Sequence, residues 1–281
     1  MRVFPHRTRA TPEDEYATTE PPGMFPPENI SEVHVSVAFT YDKERAEMLA
    51  EAWSKVAPEK IGGPAFNEPG GEFMPGMYLK PGYVITSRGC PNHCWFCAVP
   101  KRERNGLHEL TIKEGWNVLD DNLLACSESH IRAVFDMLGR QKHKARFTGG
   151  FEAKLLWTWH IELLRKIHAE RVYFAYDTPD DYEPLHVASR MLREARYLSL
   201  RRFGVYCLCG YPSDTMEKAV QRFEAVIKLG MCPYAMLWRD KDGEYSPDWK
   251  RFQREWVSPQ IVYTKYKREL SREYIYGGGA C

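Results

Sequence analysis

The chain has 281 residues, 43% of them hydrophobic, which suffices for a sizeable buried core and excludes disorder throughout. Its 39 basic and 38 acidic residues leave a formal charge of +1, so no global field draws it to DNA or to an anionic membrane. The sequence lacks the roughly 18-residue apolar run of a membrane span and the apolar segment of a secretion signal. We therefore expect a cytoplasmic protein without a membrane partner.

The first 80 residues predict an extended arm followed by a small α/β unit. Residues 1–30 include PPGMFPPEN and lack apolar periodicity, which is typical of an arm lying on the surface. From Val33, VHVSVAFTY predicts a strand, and DKERAEMLAEAWSKV has apolar residues at helical spacing. The Gly- and Pro-rich stretch IGGPAFNEPGGEFMPGMYLKPG predicts a linker, so residues 31–80 form this unit and its linker.

Residues 81–240 alternate short apolar runs with amphipathic stretches. Six runs predict strands: YVITS, WNVLD, ARFTG, RVYFAYD, RFGVYCLCG and PYAMLW. Four stretches between them predict helices, with Ser127 and Ser213 as candidate N-caps. This alternation implies a parallel sheet, so we predict an α/β fold: a partial (β/α)6 barrel with a small N-terminal α/β unit. Residues 241–281 predict a basic and aromatic C-terminal extension and tail.

Eight cysteines without a secretion signal favour reduced thiols or metal ligands over a disulfide framework. Cys90, Cys94 and Cys97 follow the strand YVITS in RGCPNHCWFCAVP, with the spacing CxxxCxxC. A 4Fe-4S cluster normally takes four thiolates, so three thiolates on one loop leave one iron open to an exchangeable ligand. The alternative, a structural zinc loop, normally needs four protein ligands, and no second half with suitable spacing is evident.

The strand YVITS, the CxxxCxxC spacing and Phe96 before the third cysteine resemble the radical S-adenosylmethionine (SAM) superfamily, over roughly residues 82–240. The resemblance implies an enzyme with one 4Fe-4S cluster that cleaves SAM reductively to a 5'-deoxyadenosyl radical, which abstracts a substrate hydrogen atom. Within the family, VSVAFTYDKERAEMLAEAW and IGGPAF are most similar to the cobalamin-type branch. The cobalt-binding motif DxHxxG is missing, so we expect a truncated N-terminal unit and no cobalamin.

The resemblance also places SAM at the carboxyl ends of the strands. The predicted SAM-binding residues are Phe96, Asp120, Asp121, Asn122, Tyr176, Asp177 and Gly210. Asp177 would accept hydrogen bonds from the ribose hydroxyls, Gly210 would let the backbone approach the adenine, and Glu152 would contact SAM or substrate. The alternatives are a solvated turn at residues 120–122, a helix start at Glu152 and an ordinary strand-to-helix turn at Gly210.

The other five cysteines have competing interpretations. Cys126, Cys207, Cys209 and Cys232 would form an auxiliary cluster or be buried free thiols, which is the commoner environment. Cys281 follows GGG at the end of the sequence and would either donate a hydrogen atom to a product radical or end a disordered tail.

The substrate has to be inferred from residues outside the cysteine motif. Two basic groups suit phosphate contacts, and aromatic residues within the second suit base stacking. They are Arg190, Arg193, Arg196, Arg201 and Arg202, and then Lys250, Arg251, Arg254, Lys265, Lys267 and Arg268 with Trp249, Phe252, Trp256, Tyr263 and Tyr266. The alternative is a solvated charged face.

The compact chain also resembles small radical SAM proteins of phage and prophage genomes, some of which participate in thymine hypermodification. That resemblance implies modification or rearrangement of a nucleobase adduct in DNA, or of a modified nucleotide, in the host cytoplasm if the protein is phage-encoded. The enzyme would then be an isomerase, a lyase or another C–H functionalising enzyme. An external electron donor of the flavodoxin or ferredoxin type is the implied partner. Modification of a peptide or small metabolite, and a non-catalytic iron–sulfur binding protein, are the alternatives.

Overall fold

The computed structural model describes residues 1–240, 243–258, 260–264 and 266. Met1–Gln141 form one compact unit, and Lys142–Asp240 with the described chain from Glu244 form a second. This division differs from the sequence-based boundaries, which follow residues 30, 80 and 240. Within the described ranges, no helix combines the length and apolarity needed to cross a membrane.

The first unit contains a four-stranded parallel sheet in the order β2-β1-β3-β4. Its elements are β1 (Arg2–Val3), β2 (Ala17–Thr18), β3 (Val33–Ser36), α1 (Lys43–Ser54) and β4 (Glu59–Gly62). Ala46, Leu49, Ala50 and Trp53 share one face of α1 and are buried, which confirms the predicted helix. The N-terminal arm is a correction: Val3 is fully buried and β1 pairs with β3, because this apolar residue joins the core of the unit.

The remainder of the first unit contains the strands that flank the cysteine motif. Its elements are β5 (Tyr83–Val84), β6 (Ser87–Arg88), α2 (Val99–Arg102), β7 (His108–Glu109), β8 (Asn117–Val118) and α3 (Glu128–Gly139). β5 pairs with β8 in parallel, and β6 pairs with β7 in antiparallel orientation. The Ser127 side chain accepts a hydrogen bond from the His130 backbone N–H, so the predicted N-cap of α3 is confirmed.

The second unit alternates strands and helices along the chain. Its elements are β9 (Arg146–Phe151), α4 (Thr158–Lys166), β10 (Arg171–Ala175), α5 (Tyr182–Glu194), β11 (Phe203–Cys209), α6 (Met216–Lys228), β12 (Cys232–Leu237) and α7 (Pro247–Trp256). The four strands are parallel neighbours in sequence order. Parallel sheets with intervening helices place the protein in the predicted α/β class.

Short 3-10 helices connect several of these elements. They span Thr40–Asp42, Pro64–Phe66, Leu123–Ala125, Ala153–Leu155 and Pro179–Asp181. The N-cap of α6 is Thr215, whose side chain accepts a hydrogen bond from Lys218 N, and not Ser213 as predicted. Both hydroxyl residues suit a cap, so only the backbone geometry decides between them.

The C-terminal helix α7 packs on the second unit through aromatic side chains. Phe252 and Trp256 are buried, and both rings contact Phe223 of α6, at centroid distances of 5.3 and 4.8 Å. Tyr266 is also buried, with its ring 5.5 Å from that of Trp256. This corrects the expectation of base stacking for these three residues, because their rings form the core. Lys265, Lys267, Arg268 and Cys281 lie outside the described residues.

Candidate functional site

The cysteine motif forms the loop between β6 and α2. Cys94 is exposed, whereas Cys90 and Cys97 are partly buried, and all three are reduced cysteines. The Cys97 backbone N–H donates to the Cys94 carbonyl at 3.0 Å, which closes a tight turn between the second and third cysteines. Across the described residues, no three His, Cys, Asp or Glu side chains are already gathered as a metal-binding group.

Two nitrogen donors lie against the sulfur of Cys90. The Asn92 backbone N–H lies 3.5 Å from Cys90 Sγ, and the Asn122 side-chain Nδ2 lies 3.3 Å from it. Asn122 is only 3% exposed and directly follows the polar pair at the end of β8. One thiol of the loop therefore accepts hydrogen bonds from both its own loop and the neighbouring strand end.

The carboxylate of Asp120 joins the end of β8 to the start of β6. It accepts from Thr86 N at 2.6 Å, from Thr86 Oγ1 at 2.5 Å and from Ser87 Oγ at 2.8 Å. Asp120 is buried, and burial raises the pKa of its carboxyl although the hydrogen bonds from Thr86 and Ser87 lower it. This residue, predicted to bind SAM, therefore places both oxygens on the segment that leads to Cys90.

Asp121 holds the next part of the same segment. Its Oδ2 accepts from Gly89 N at 2.9 Å, and its two oxygens lie 2.8 and 2.7 Å from Arg102 Nη2. Gly89 has φ +85°, and a Cβ there would lie 2.1 Å from the Gly106 carbonyl oxygen. Only glycine therefore fits at the residue that precedes Cys90.

Charged residues on and directly after α2, which were not predicted, bind Asp121 and each other. Arg102 Nε donates to Glu103 Oε1 at 2.8 Å, and the Gly70 N–H lies 3.2 Å from the same oxygen. Glu103 is buried, and its Oε2 has no hydrogen-bond partner among the described residues. The signal in the sequence was the charged run KRER, which directly follows the motif.

His130 on α3 and Glu109 on β7 form further polar contacts near Thr86, and these were also not predicted. His130 is buried, its Nε2 lies 3.4 Å from Thr86 Oγ1, and its Nδ1 lies 3.7 Å from Glu109 Oε2. Glu109 Oε1 accepts from Ser127 N at 2.7 Å. Thr86 is thus held from two sides, by Asp120 and by the start of α3.

The outer side of the loop is aromatic and basic. Trp95 is 59% exposed, and its ring meets that of the partly buried Phe96 edge to face at 5.4 Å. His93, Lys101 and Arg104 are exposed on the same short segment. The one acidic residue between Cys90 and Arg104 is the buried Glu103, so the exposed charges of this segment are basic.

In the second unit, Tyr176 and Asp177 directly follow β10, as predicted. Tyr176 is 8% exposed. Asp177 Oδ1 accepts from Leu208 N of β11 at 2.9 Å, and the Asp177 backbone N–H donates to Asp181 Oδ2. Burial raises the pKa of Asp177 to about 7, an effect that the Asp181 charge adds to and the Leu208 hydrogen bond opposes.

Gly210 begins the turn after β11 with φ +77°. Its N–H donates to Asp214 Oδ2 at 3.0 Å, and Arg222 binds both oxygens of that carboxylate, at 3.0 and 2.7 Å. A Cβ on Gly210 would lie 3.1 Å from the Trp249 ring, so the turn itself requires glycine. Asp214 and Arg222, which fix this turn, were not predicted.

Glu152 lies directly after β9. It pairs with Lys154 at 2.5 Å and begins the 3-10 helix that precedes α4 rather than α4 itself. Before it, the pairing of β9 with β10 shifts register, and Gly150 has φ +102°. Gly149 and Gly150 therefore form a bulge inside the strand rather than a turn at its end.

The described cysteines outside the motif are buried or partly buried. Cys207, Cys209 and Cys232 are buried in the second unit, and their Sγ atoms lie 3.6–3.7 Å from backbone carbonyls. Burial raises the pKa of all three thiols, to about 12 for Cys209, and burial likewise raises that of Cys126 in the first unit to about 12. These environments favour the free-thiol interpretation.

Comparison with protein-family models gave no match to this chain, and a search of curated proteins also gave none.

Proposed function

We propose that the chain is a radical SAM enzyme in which Cys90, Cys94 and Cys97 hold one 4Fe-4S cluster. The observation that carries the proposal is the anchoring of the CxxxCxxC loop by the carboxylates of Asp120 and Asp121. Metal ligands need such outer partners to fix their orientation. A solvated turn at residues 120–122 would not place these carboxylates on the cysteine segment.

The donor set fits a cluster better than a structural zinc ion. Zinc in a structural site normally takes four protein ligands, whereas this loop supplies three thiols. The two N–H groups at Cys90 Sγ are partners that stabilise a thiolate bound to iron. Three thiolates leave one iron for the amino and carboxylate groups of SAM.

When bound, the cluster would supply one electron to the SAM sulfonium, whose C–S bond breaks to give methionine and a 5'-deoxyadenosyl radical that abstracts a substrate hydrogen atom. The residues of the chain bind and orient the reactants. Asp120 and Asp121 hold the loop with oxygens that already accept hydrogen bonds, so we assign them to positioning.

SAM contacts remain proposed at Phe96, Tyr176, Asp177 and Gly210. Phe96 is partly buried beside the third cysteine, and Asp177 and Gly210 lie at the carboxyl ends of β10 and β11. Glu152 remains a proposed contact to SAM or substrate.

We also propose that the α/β fold is a partial (β/α)6 barrel. The support is the parallel pairing of β5 with β8, of β9 with β10, of β10 with β11 and of β11 with β12.

For the substrate we propose a nucleobase adduct in DNA, with a peptide or small metabolite as the alternative. The support is a set of exposed arginines at the end of α5 and after it: Arg190, Arg193, Arg196 and Arg201. Exposed guanidinium groups suit phosphate contacts. Arg202 contributes less, since its Nε and Nη1 donate to the carbonyls of Ala169 and Tyr197.

An electron donor of the flavodoxin or ferredoxin type is the proposed partner. Exposed Trp95, Lys101 and Arg104 on the cysteine segment suit an acidic protein surface close to the cluster. A cytoplasmic setting, in a phage host or otherwise, and the absence of cobalamin belong to the same proposal.

Anaerobic reconstitution with iron and sulfide tests the proposal. With SAM and a strong reductant, the wild-type protein should form 5'-deoxyadenosine and methionine, and Cys90→Ala, Cys94→Ala or Cys97→Ala should abolish both. Cys126→Ala, which removes a thiol outside the loop, should retain them. A four-iron protein that leaves SAM intact would support the non-catalytic iron–sulfur alternative instead.

A further inference from the structure

A buried amide between β8 and the 3-10 helix that follows it contacts the first cysteine of the loop. Asn122 Nδ2 lies 3.3 Å from Cys90 Sγ, which is within hydrogen-bond range for a sulfur acceptor. Because Asn122 is 3% exposed, its amide has little access to water. The donor therefore belongs to the interior of the first unit and not to a mobile surface side chain.

The backbone on both sides of Asn122 is fixed. Asp121 before it binds Gly89 and Arg102, and Leu123 after it is 1% exposed. The Asn122 carbonyl accepts from Ala125 N at 3.2 Å within the 3-10 helix that follows. With its backbone held in this way, the amide can leave Cys90 only by changing its own side-chain rotamer.

We propose that Asn122 raises the reduction potential of the cluster by donating a hydrogen bond to Cys90 Sγ, and is not a SAM ligand as its sequence position predicted. This inference rests on the proposed function. Reduction adds negative charge to the cluster and its sulfur ligands, and an N–H donor stabilises the more negative form. Asn122 would thus set how readily an electron donor reduces the cluster.

Redox titration of the reconstituted protein, followed by the absorbance and electron paramagnetic resonance of the cluster, measures this directly. Asn122→Ala should lower the equilibrium constant for reduction about tenfold, which is ~59 mV for a one-electron couple. Asn122→Asp, which replaces the donor with an acceptor of the same shape, should lower the potential further. Asn105→Ala removes an exposed amide of the same unit and should leave the potential unchanged.

The outcomes separate this inference from the function on which it rests. Equal potentials in the wild type and in the Asn122 variants that load a cluster would overturn the inference and leave the proposed function intact. If Asn122→Ala fails to load iron, Asn122→Asp supplies the comparison. A wild-type protein that assembles no four-iron cluster under any reconstitution condition would overturn the proposed function itself.

Discussion

At the scale of single residues, Asp177 lies where burial opposes ionisation. Its carboxyl has a pKa of about 7 in the folded chain, against 3.8 for an ordinary aspartate. The unfolded chain therefore loses this proton near pH 4, while the folded chain retains it to about pH 7. Between those values the folded state binds more protons, so the free energy of unfolding falls as pH rises and then levels.

The variant Asp177→Asn should remove this pH dependence. One pKa unit is worth 1.36 kcal/mol, so its stability relative to the wild type should increase by at most about 4 kcal/mol between pH 4 and pH 8. The amide oxygen can still accept from Leu208 N. Urea unfolding at pH 4.5, 6 and 8 measures the difference, and a difference that stays constant with pH would contradict the burial argument.

Gly89 lies in an environment that has no room for a larger side chain. Gly89→Ala should destabilise the first unit by ~2 kcal/mol or more and lower iron incorporation, because its positive φ and the nearby Gly106 carbonyl leave no room for a Cβ. Gly71→Ala is the matched control, since nothing lies within 4 Å of the position that a Cβ would take there. Equal unfolding midpoints and equal iron contents for the two variants would contradict the account.

Only some residues of the candidate site could be recognised from the sequence. The cysteine spacing and the polar run at residues 120–122 were visible as candidates. Their partners were not, because Arg102, Glu103 and His130 approach them only through tertiary contacts. A polar side chain after a strand looks the same in sequence whether it binds a ligand or holds a neighbouring loop.

At the scale of elements, the alternation of apolar runs predicted the main strands and helices, since periodicity is a local property. The features that the pattern did not predict depend on single hydrogen bonds or on pairing between strands that are distant in sequence. Thr215 rather than Ser213 caps α6, β9 contains a glycine bulge, and β1 joins a sheet through pairing with β3. Neither register nor cap choice is encoded by hydrophobic period alone.

The buried ion pair between the turn after β11 and α6 should be a strong contributor to stability. The side chain of Asp214 is fully buried and that of Arg222 is 10% exposed, so Asp214→Asn leaves a buried charge uncompensated and should cost about 3–5 kcal/mol. The exposed pair Asp248–Arg251 gives the control, Asp248→Asn, with an expected cost below about 1 kcal/mol. Urea unfolding of both variants tests this, and similar costs would refute the distinction.

The exposed arginines at the end of α5 and just after it test the nucleic-acid proposal. The triple variant Arg190→Glu, Arg193→Glu and Arg196→Glu should weaken DNA binding more than tenfold and flatten its salt dependence, since each lost phosphate contact removes about 0.9 from the log–log slope. Arg45→Glu with Arg132→Glu and Arg140→Glu, which changes three exposed arginines outside both basic groups, is the charge-matched control. Fluorescence anisotropy at several salt concentrations measures both, and equal weakening by the two variants would argue against a specific surface.

At the scale of the whole molecule, the sequence predicted the α/β class, but its domain boundaries differ from the compact units, which divide after Gln141. Contact density within a unit depends on which distant segments pack together, and a Gly- and Pro-rich stretch such as residues 61–82 does not by itself mark a boundary. The candidate site, like the domain boundaries, could be predicted only in part from the sequence. The cysteine spacing suggests the cluster, while the residues that hold its loop are apparent only in three dimensions.

We propose that the three cysteines on one anchored loop leave one iron of the cluster open to SAM. Electron paramagnetic resonance of the reduced, reconstituted protein, recorded with and without SAM, tests it most directly. We expect a four-iron signal that depends on Cys90, Cys94 and Cys97 and changes on addition of SAM. A four-iron signal that SAM leaves unchanged, or a protein that binds only zinc through these cysteines, would contradict it.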